Sequence, residues 1–223
     1  MIINLIDIPV FYINMKKDKD KKNYIEKRLR DVGFKNINRI EAVEDKENGR
    51  RGLSKSQFIA LNQVEAPFII LEDDADPKYF KSKIDVPDDA DAVYLGNSQW
   101  GYMQSYSGFY LKYKKVKGKK DIYKIYNMLS SHAILYLTQE YVDVCKRTTK
   151  YCAEEYDMPM DVPFAMIQRF FNVYTTDSPF FIQKDYESKM SAAPKYTNRK
   201  LTSYKTYHSP EQKTGYFYKD EII

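Results

Sequence analysis

The stretch Phe68-Ile69-Ile70-Leu71-Glu72-Asp73-Asp74-Ala75-Asp76-Pro77 decides how this chain is read. It opens as a short apolar run and closes with four acids in five positions. Pro67 and Pro77 punctuate it at both ends. A continuous apolar run of this length between turn signals reads as a strand of a parallel sheet, buried on both faces. The acids then sit where a central strand leaves the sheet at its carboxyl end. That edge is where open α/β sheets bind ligands. Carboxylates crowded there repel one another and need a compensating cation. Oxygen ligands of this kind suit Mg2+ or Mn2+, commonly shared with the phosphates of a substrate. A solvated acidic turn is the competing reading of any acidic cluster. The buried strand leading into this one favours a site.

Strands and helices alternate on both sides of that stretch. Residues 8–14 read as a first strand. Residues 18–32 turn helical, with Tyr24, Ile25, Leu29 and Val32 on one face and Gly33 as the closing glycine. A second strand is expected over 34–40, a charged loop over 41–52, and a helix over 53–65 carrying Phe58, Ile59, Leu61 and Val64. Beyond the acids, Asp91–Leu95 is a strand running into Gly96. An aromatic loop, Gln99–Tyr106, leads to a hairpin of 109–113 with 122–126, whose lysine-rich turn suits a solvated tip. Residues 132–137 form a strand, and Thr138 caps a helix to about Tyr151. Asp161 caps another helix through Phe171, with Pro163 in its first turn. Short strands at 173–176 and 180–183 follow. The alternation predicts an α/β fold with a mainly parallel central sheet flanked by helices. Strands 9–14, 68–72 and 91–95 should be neighbours or near-neighbours and open onto one cleft. Residues 1–190 form the domain. Residues 191–223 are a Tyr- and Lys-rich extension that packs on it or is partly mobile.

Composition bounds the rest. A 223-residue chain suits one domain with a sizeable core. Its 43% hydrophobic and 30% charged residues are those of a water-soluble globular protein. A net charge of +5 favours anionic ligands but is weak evidence for nucleic acid, which stays a possible partner and not the favoured one. No apolar stretch is long enough to span a bilayer, and the first residues lack the pattern of a signal peptide. Cys145 and Cys152, seven positions apart on one predicted helix, are too distant for a disulfide. Reduced thiols and a cytoplasmic setting are the expectation.

With the elements placed, a series of short motifs in order resembles glycosyltransferase family 25, the group of lipooligosaccharide and collagen galactosyltransferases. Pro9-Val10-Phe11-Tyr12-Ile13-Asn14 resembles the family's first strand, and Gly52-Leu53-Ser54-Lys55-Ser56-Gln57 its Gly-Cys-x-x-Ser-His helix start. Ile70-Leu71-Glu72-Asp73-Asp74-Ala75 is similar to its acidic metal motif almost letter for letter. Tyr94-Leu95-Gly96, Ser131-His132-Ala133, Pro159-Met160-Asp161 and Pro179-Phe180-Phe181-Ile182-Gln183 resemble later segments. Met15 stands where the family has Leu, Lys21 or Lys22 where it has Arg, Leu53 where it has Cys, and Gln57 where it has His. A glutamine hydrogen-bonds but does not titrate near neutral pH, so an acid–base role at 57 is not carried over.

The resemblance implies a GT-A fold, a nucleotide-sugar donor (a UDP-sugar first), Mn2+ or Mg2+, and inversion at the anomeric carbon. On that basis Asp73 and Asp74 are the expected metal ligands. Asn14, Lys22, Gly52, Gln57, Glu72 and Gly96 are the expected donor-binding residues. Asp161, in the Pro-x-Asp segment, is the expected base for the acceptor hydroxyl, and helix capping is its alternative role. His132, Trp100 and Gln183 are expected on the acceptor side or in supporting positions, His132 equally as a packing residue. The aromatic rings of Trp100, Tyr102 and Tyr106 offer flat faces to a sugar. The function implied is transfer of a hexose, galactose or glucose, to a hydroxyl of a glycan or lipid-linked sugar. Two alternatives stay open: the same catalyst acting on a nucleobase or protein side chain, and a non-catalytic sugar-binding or interaction domain of the same fold.

Overall fold

The computed structural model describes residues 1–63, 65–103, 106–108, 111–154, 159–184, 186 and 199–203. In chain order the elements are β1 (Ile2–Asn4), β2 (Val10–Asn14), α1 (Lys19–Asp31), β3 (Ile37–Glu41), α2 (Gly49–Leu61), β4 (Phe68–Glu72), β5 (Ala75–Asp76), β6 (Lys83–Asp85) and β7 (Ala92–Tyr94). Then come β8 (Gly101–Met103), β9 (Tyr106–Gly108), β10 (Tyr113–Lys115), β11 (Ile122–Ile125), β12 (Ala133–Tyr136), α3 (Gln139–Glu154), α4 (Asp161–Ile167), β13 (Val173–Thr176) and β14 (Ile182–Gln183). Eight strands form the central sheet in the order β10-β11-β13-β7-β12-β4-β2-β3.

The sheet is mixed, which corrects the mainly parallel sheet expected from the alternation. β2 runs parallel to β3 and β4, and β13 runs parallel to β7. β12, however, lies between β4 and β7 and is antiparallel to both, and β10 and β11 join antiparallel at the far edge. A short apolar run such as Ala133–Tyr136 reads the same in either direction, so its sequence carries no sign of its polarity. The consequence for function survives the correction. β4 and β7 both oppose β12, so β2, β4 and β7 point the same way. Their carboxyl ends share one edge with the amino end of β12.

The run that opened the reading is buried on both faces, as its unbroken apolarity requires. Phe68 and Ile70 join one core with Phe11, Tyr94 and Tyr136 and with Ala60, Leu61, Tyr141 and Val142 from α2 and α3. Ile69 and Leu71 join the other with Val10, Tyr12, Val93 and Leu135 and with Ile25 and Leu29 from α1. Gly33 ends α1 at φ +102°, the left-handed conformation that glycine adopts without strain.

α2 starts four residues before the expected position. Asn48 caps it, its side chain accepting from the Arg50 and Arg51 amides at 3.0 and 3.1 Å. Gly52, read as loop, lies inside that helix because it abuts the chain after β3. A Cβ there would stand 2.8 Å from the Val43 carbonyl oxygen. The hairpin lysines fall on the turn between β10 and β11, as expected, while the first expected strand, 109–113, lies partly outside the described residues. α4 is short and continues as a 3-10 turn over Gln168–Phe170. Cys145 and Cys152 are buried free thiols. Among the described residues no helix is long and apolar enough to cross a membrane. Of the C-terminal extension, residues 199–203 are described: Leu201 is buried and its amide bonds the Asp177 carbonyl at 2.7 Å.

Candidate functional site

Four acids leave β4 within one turn, and the fold treats each differently. Glu72 ends the strand. Its amide bonds the His132 carbonyl at 2.9 Å, and its carboxylate accepts the Ser131 hydroxyl at 2.9 Å. Asp73 is held on both oxygens, by the Asn14 side-chain amide at 2.8 Å and the Lys21 ammonium at 3.4 Å. Asp74 takes a hydrogen bond from the Gln183 side chain, yet its Oδ1 is buried with no partner. Asp76 is fully matched, accepting Nε and Nη2 of Arg28 at 3.2 and 3.1 Å and the Tyr24 hydroxyl at 2.7 Å. The row therefore contains two ion pairs, at Asp73 and Asp76, one carboxylate held by a hydroxyl, at Glu72, and one with an orphaned oxygen, at Asp74.

The same row is short of positive charge. Burial and then the Asp74 charge push the Glu72 carboxyl well above the ordinary carboxylate range, against the Ser131 hydrogen bond. Burial and then the Asp73 charge raise Asp74. Asp161, the first residue of α4, is pushed up to about 6, chiefly by burial, while amides at the start of its helix and the charge of Arg50 pull the other way. Its charge is among those felt at Glu72. Met160 occupies the cap position and makes no side-chain capping bond. Asp161 is therefore inside the helix rather than at the cap the sequence suggested.

Of the expected site residues, Asn14, Glu72, Asp73, Asp74, Asp161 and Gln183 come together along this edge. Asn14 is buried and does double duty, because its oxygen and backbone carbonyl also accept Arg39 at 3.0 and 3.1 Å. Gly96 and His132 stand just behind the edge. A Cβ on Gly96 would lie 1.8 Å from His132 Nε2, so the bare glycine admits the ring. The ring is fixed by Ser130 Oγ on Nδ1 at 2.9 Å and the Phe181 carbonyl on Nε2 at 3.3 Å. Burial pulls its pKa down to about 4, so His132 is a neutral packing group. Trp100 packs with Tyr102 against Leu129, Val162 and Ala165, on the helix that carries Asp161.

Three expected donor-binding residues lie elsewhere. Gln57 is buried in the core and donates to the Tyr136 hydroxyl at 3.2 Å. Tyr136 pairs with Phe68, at the opposite end of β4 from Glu72. Gly52 packs on the Val43 carbonyl. Lys22 faces Glu26 along α1, and Lys21 is the lysine that reaches the acids. Helical spacing accounts for that. Residues 21 and 22 point about 100° apart, so only one of them can face β4. Sequence reading missed Arg39, Ser131, Lys184 and Tyr186. Ser131 stood inside a quoted motif. Arg39 carried no signal beyond its place in a strand.

No family model and no curated protein matches this chain. Among solved structures it is similar to a nucleoside-diphosphate-sugar pyrophosphorylase from Vibrio cholerae RC9, at 12% identity and a TM-score of 0.41, over 77% of this chain and 73% of that one. A likeness of that strength fixes neither family nor activity. The resemblance to glycosyltransferase family 25 rests on the residues quoted for it.

Proposed function

We propose that this chain is a nucleotide-sugar-dependent glycosyltransferase whose donor lies along the β2–β4 edge and whose acceptor enters from the α4 side. The observation that carries the reading is the set Glu72, Asp74 and Asp161. These are three carboxyls with raised proton affinity at one sheet edge, with the Asp74 Oδ1 unpartnered. A buried acid without a partner is costly, so a ligand or cation that completes it is the simplest reason for its persistence.

The residues fit a divalent ion in part. Asp74 offers a free hard oxygen beside Asp73, while both oxygens of Asp73 already carry donors. Among the described residues no three His, Cys, Asp or Glu side chains group as a metal site. Mg2+ and Mn2+ bound with nucleotides need only one or two carboxylates, the remaining ligands being phosphate oxygens and water. Such an ion, when bound, stabilises the negative charge that grows on the departing diphosphate.

The remaining work falls to the chain. Asn14 holds Asp73 in place and Lys21 adds a positive charge beside it. Glu72, fixed by Ser131 beside Asp73 and Asp74, is suited to a sugar or ribose hydroxyl. Asp161 takes the proton from the acceptor hydroxyl as it attacks. A carboxyl held at about 6 is charged at neutral pH and more basic than an ordinary aspartate, which suits a general base. Trp100 and Tyr102 give α4 an aromatic flank for a sugar ring. A galactose or glucose donor on UDP is the first expectation, with a glycan-type acceptor. The Gln57 departure from the family's histidine bears on core packing rather than on acid–base chemistry, because its side chain meets Tyr136.

A panel of nucleotide sugars read by thermal shift, with and without Mn2+, tests the reading. Ligand that binds only the folded state raises the apparent melting temperature by mass action. A rise with a UDP-sugar that requires Mn2+, accompanied by slow donor hydrolysis, is the expected result. No shift with any nucleotide sugar, metal present or absent, overturns it.

A further inference from the structure

Among the described residues Lys184 is an ammonium with no ion pair, beside a carboxylate, Asp74, that has one buried oxygen unpartnered. Its backbone amide bonds the Asp74 carbonyl at 2.8 Å. β14 pairs antiparallel with β5, Gln183 opposite Ala75, so residue 184 is fixed next to the acids by sheet pairing rather than by a free loop. Its side chain lies over two aromatic rings. Nζ lies 3.5 Å from the centre of the Tyr24 ring and 4.9 Å from that of Tyr186, and among the described residues it forms no ion pair. Lys21, which holds Asp73, has its Nζ 5.0 Å from the same Tyr186 ring. Tyr24 and Tyr186 meet edge to face, and the Tyr186 hydroxyl is buried without a hydrogen-bond partner.

We propose that Lys184, Lys21 and Tyr186 form a diphosphate subsite, in which two ammonium groups grip adjacent phosphoryl groups and the tyrosine hydroxyl donates to a bridging or terminal oxygen. Aromatic faces hold a cation in place while leaving N–H donors directed outward. Lysine binds phosphate as a point charge, and two lysines around one ring match a ligand with two anionic centres better than a single carboxylate or phosphate. The neighbouring acids make the same case. A phosphate placed beside Asp73, Asp74 and Asp76 is repelled unless cations intervene. Among the described residues Arg28 is held by Asp76 through two hydrogen bonds, whereas Lys21 meets Asp73 at only 3.4 Å and Lys184 makes no ion pair, so these two lysines keep donors for a ligand. The inference rests on the glycosyltransferase reading only for what carries the diphosphate. A nucleoside diphosphate is favoured by that reading, and an isoprenoid diphosphate presents the same charge.

Calorimetric titration of the full chain, with and without Mn2+, decides it, using inorganic pyrophosphate, orthophosphate, UDP, UMP and dimethylallyl diphosphate against wild type, Lys184→Met and Lys184→Arg. Wild type is expected to bind pyrophosphate and UDP more tightly than orthophosphate and UMP. Lys184→Met should weaken the diphosphates about tenfold, the scale of one charge-assisted hydrogen bond, and UMP far less. Lys184→Arg should retain most of the affinity. Circular dichroism checks that each variant is folded, and the arginine variant keeps the test valid should the methionine variant unfold. If UDP binds wild type and Lys184→Met equally, the subsite is wrong and the glycosyltransferase reading stands. If pyrophosphate and the isoprenoid diphosphate bind through Lys184 while UDP binds neither with nor without Mn2+, the subsite stands and the nucleotide donor falls. If no diphosphate binds more tightly than orthophosphate, the subsite is overturned.

Discussion

The β4–β12 pair has two ends of opposite character. At one, Phe68 lies opposite Tyr136 with ring centres 5.1 Å apart, and the Tyr136 hydroxyl accepts from Gln57. At the other, Glu72 bonds the His132 carbonyl and the chain runs directly into acids that share too few donors. Both ends belong to the same ladder. At the first, the Tyr136 hydroxyl and the Gln57 amide answer each other, and the unmatched groups nearby, such as the Tyr141 hydroxyl, are neutral. At the second, a carboxylate oxygen is left unmatched, and leaving a buried group unsatisfied costs about 1–3 kcal/mol or more when it is charged. A carboxyl group alone does not mark the functional end, since Asp76 carries one as Asp74 does and is spent on Arg28 and Tyr24. What marks it is charge without a partner on a rigid strand.

The largest expected effect sharpens that contrast at the catalytic end. Asp161→Asn should lower the transfer rate by about 10²–10⁴, the range for loss of a general base, with donor affinity little changed. In the wild type, rate should rise with pH through about 6, where Asp161 loses its proton. A rate profile flat from pH 5 to 8, or a variant with the wild-type rate, removes Asp161 from the chemistry.

Next in size is a pair of substitutions, one at each end. Phe68→Ala empties a packed site and should cost about 3–5 kcal/mol of stability, with or without ligand. Asp74→Asn keeps the volume and removes a charge that repels Asp73 and Glu72. Its apo form should melt at or above the wild-type temperature, while the stabilisation by UDP plus Mn2+ disappears. Denaturant melts of both variants, with and without ligand, read the difference. An Asp74→Asn protein that is destabilised in every condition places Asp74 among the structural pairs with Asp76.

Much of this was legible in the chain. The apolar run closing on acids gave the buried strand and the edge it opens onto, and the acids with Asn14, Asp161 and Gln183 do converge there. Element polarity was not legible, because β12 has no sequence mark of direction, and the sheet came out mixed. Nor was the inward face of α2. Its glycines looked like breakers until the Val43 carbonyl showed why residue 52 has no side chain. Gln57 was expected at the donor because it stands where the resembled family has His, whereas here it answers a buried tyrosine hydroxyl. Lys184 and Tyr186 left no local signal at all. Their position depends on β14 returning to pair with β5, a contact across more than a hundred residues.

The smallest expected effect is on the pH dependence of the ligand-free fold, and its sign separates the charged edge from the ring behind it. Glu72, Asp74 and Asp161 have folded pKa values above those of the unfolded chain, near 4. The folded state therefore holds these protons more tightly, and the stability they contribute is lost as pH rises through the folded values. His132 runs the other way. Its folded pKa is about 4 against roughly 6.5 unfolded, so its contribution is complete above about 6.5 and is lost as pH falls towards 4. Above pH 6.5 the histidine is neutral in both states and drops out, which leaves the acids. Apo stability should then decline from pH 6.5 to 8, and Glu72→Gln should flatten the decline without altering the histidine-driven loss on the acid side. Melting temperatures at half-unit pH steps for wild type and Glu72→Gln read both limbs in one experiment. An unchanged alkaline slope in Glu72→Gln means that its carboxyl is not under charge stress, and the contrast between the two ends of β4 then rests on Asp74 alone.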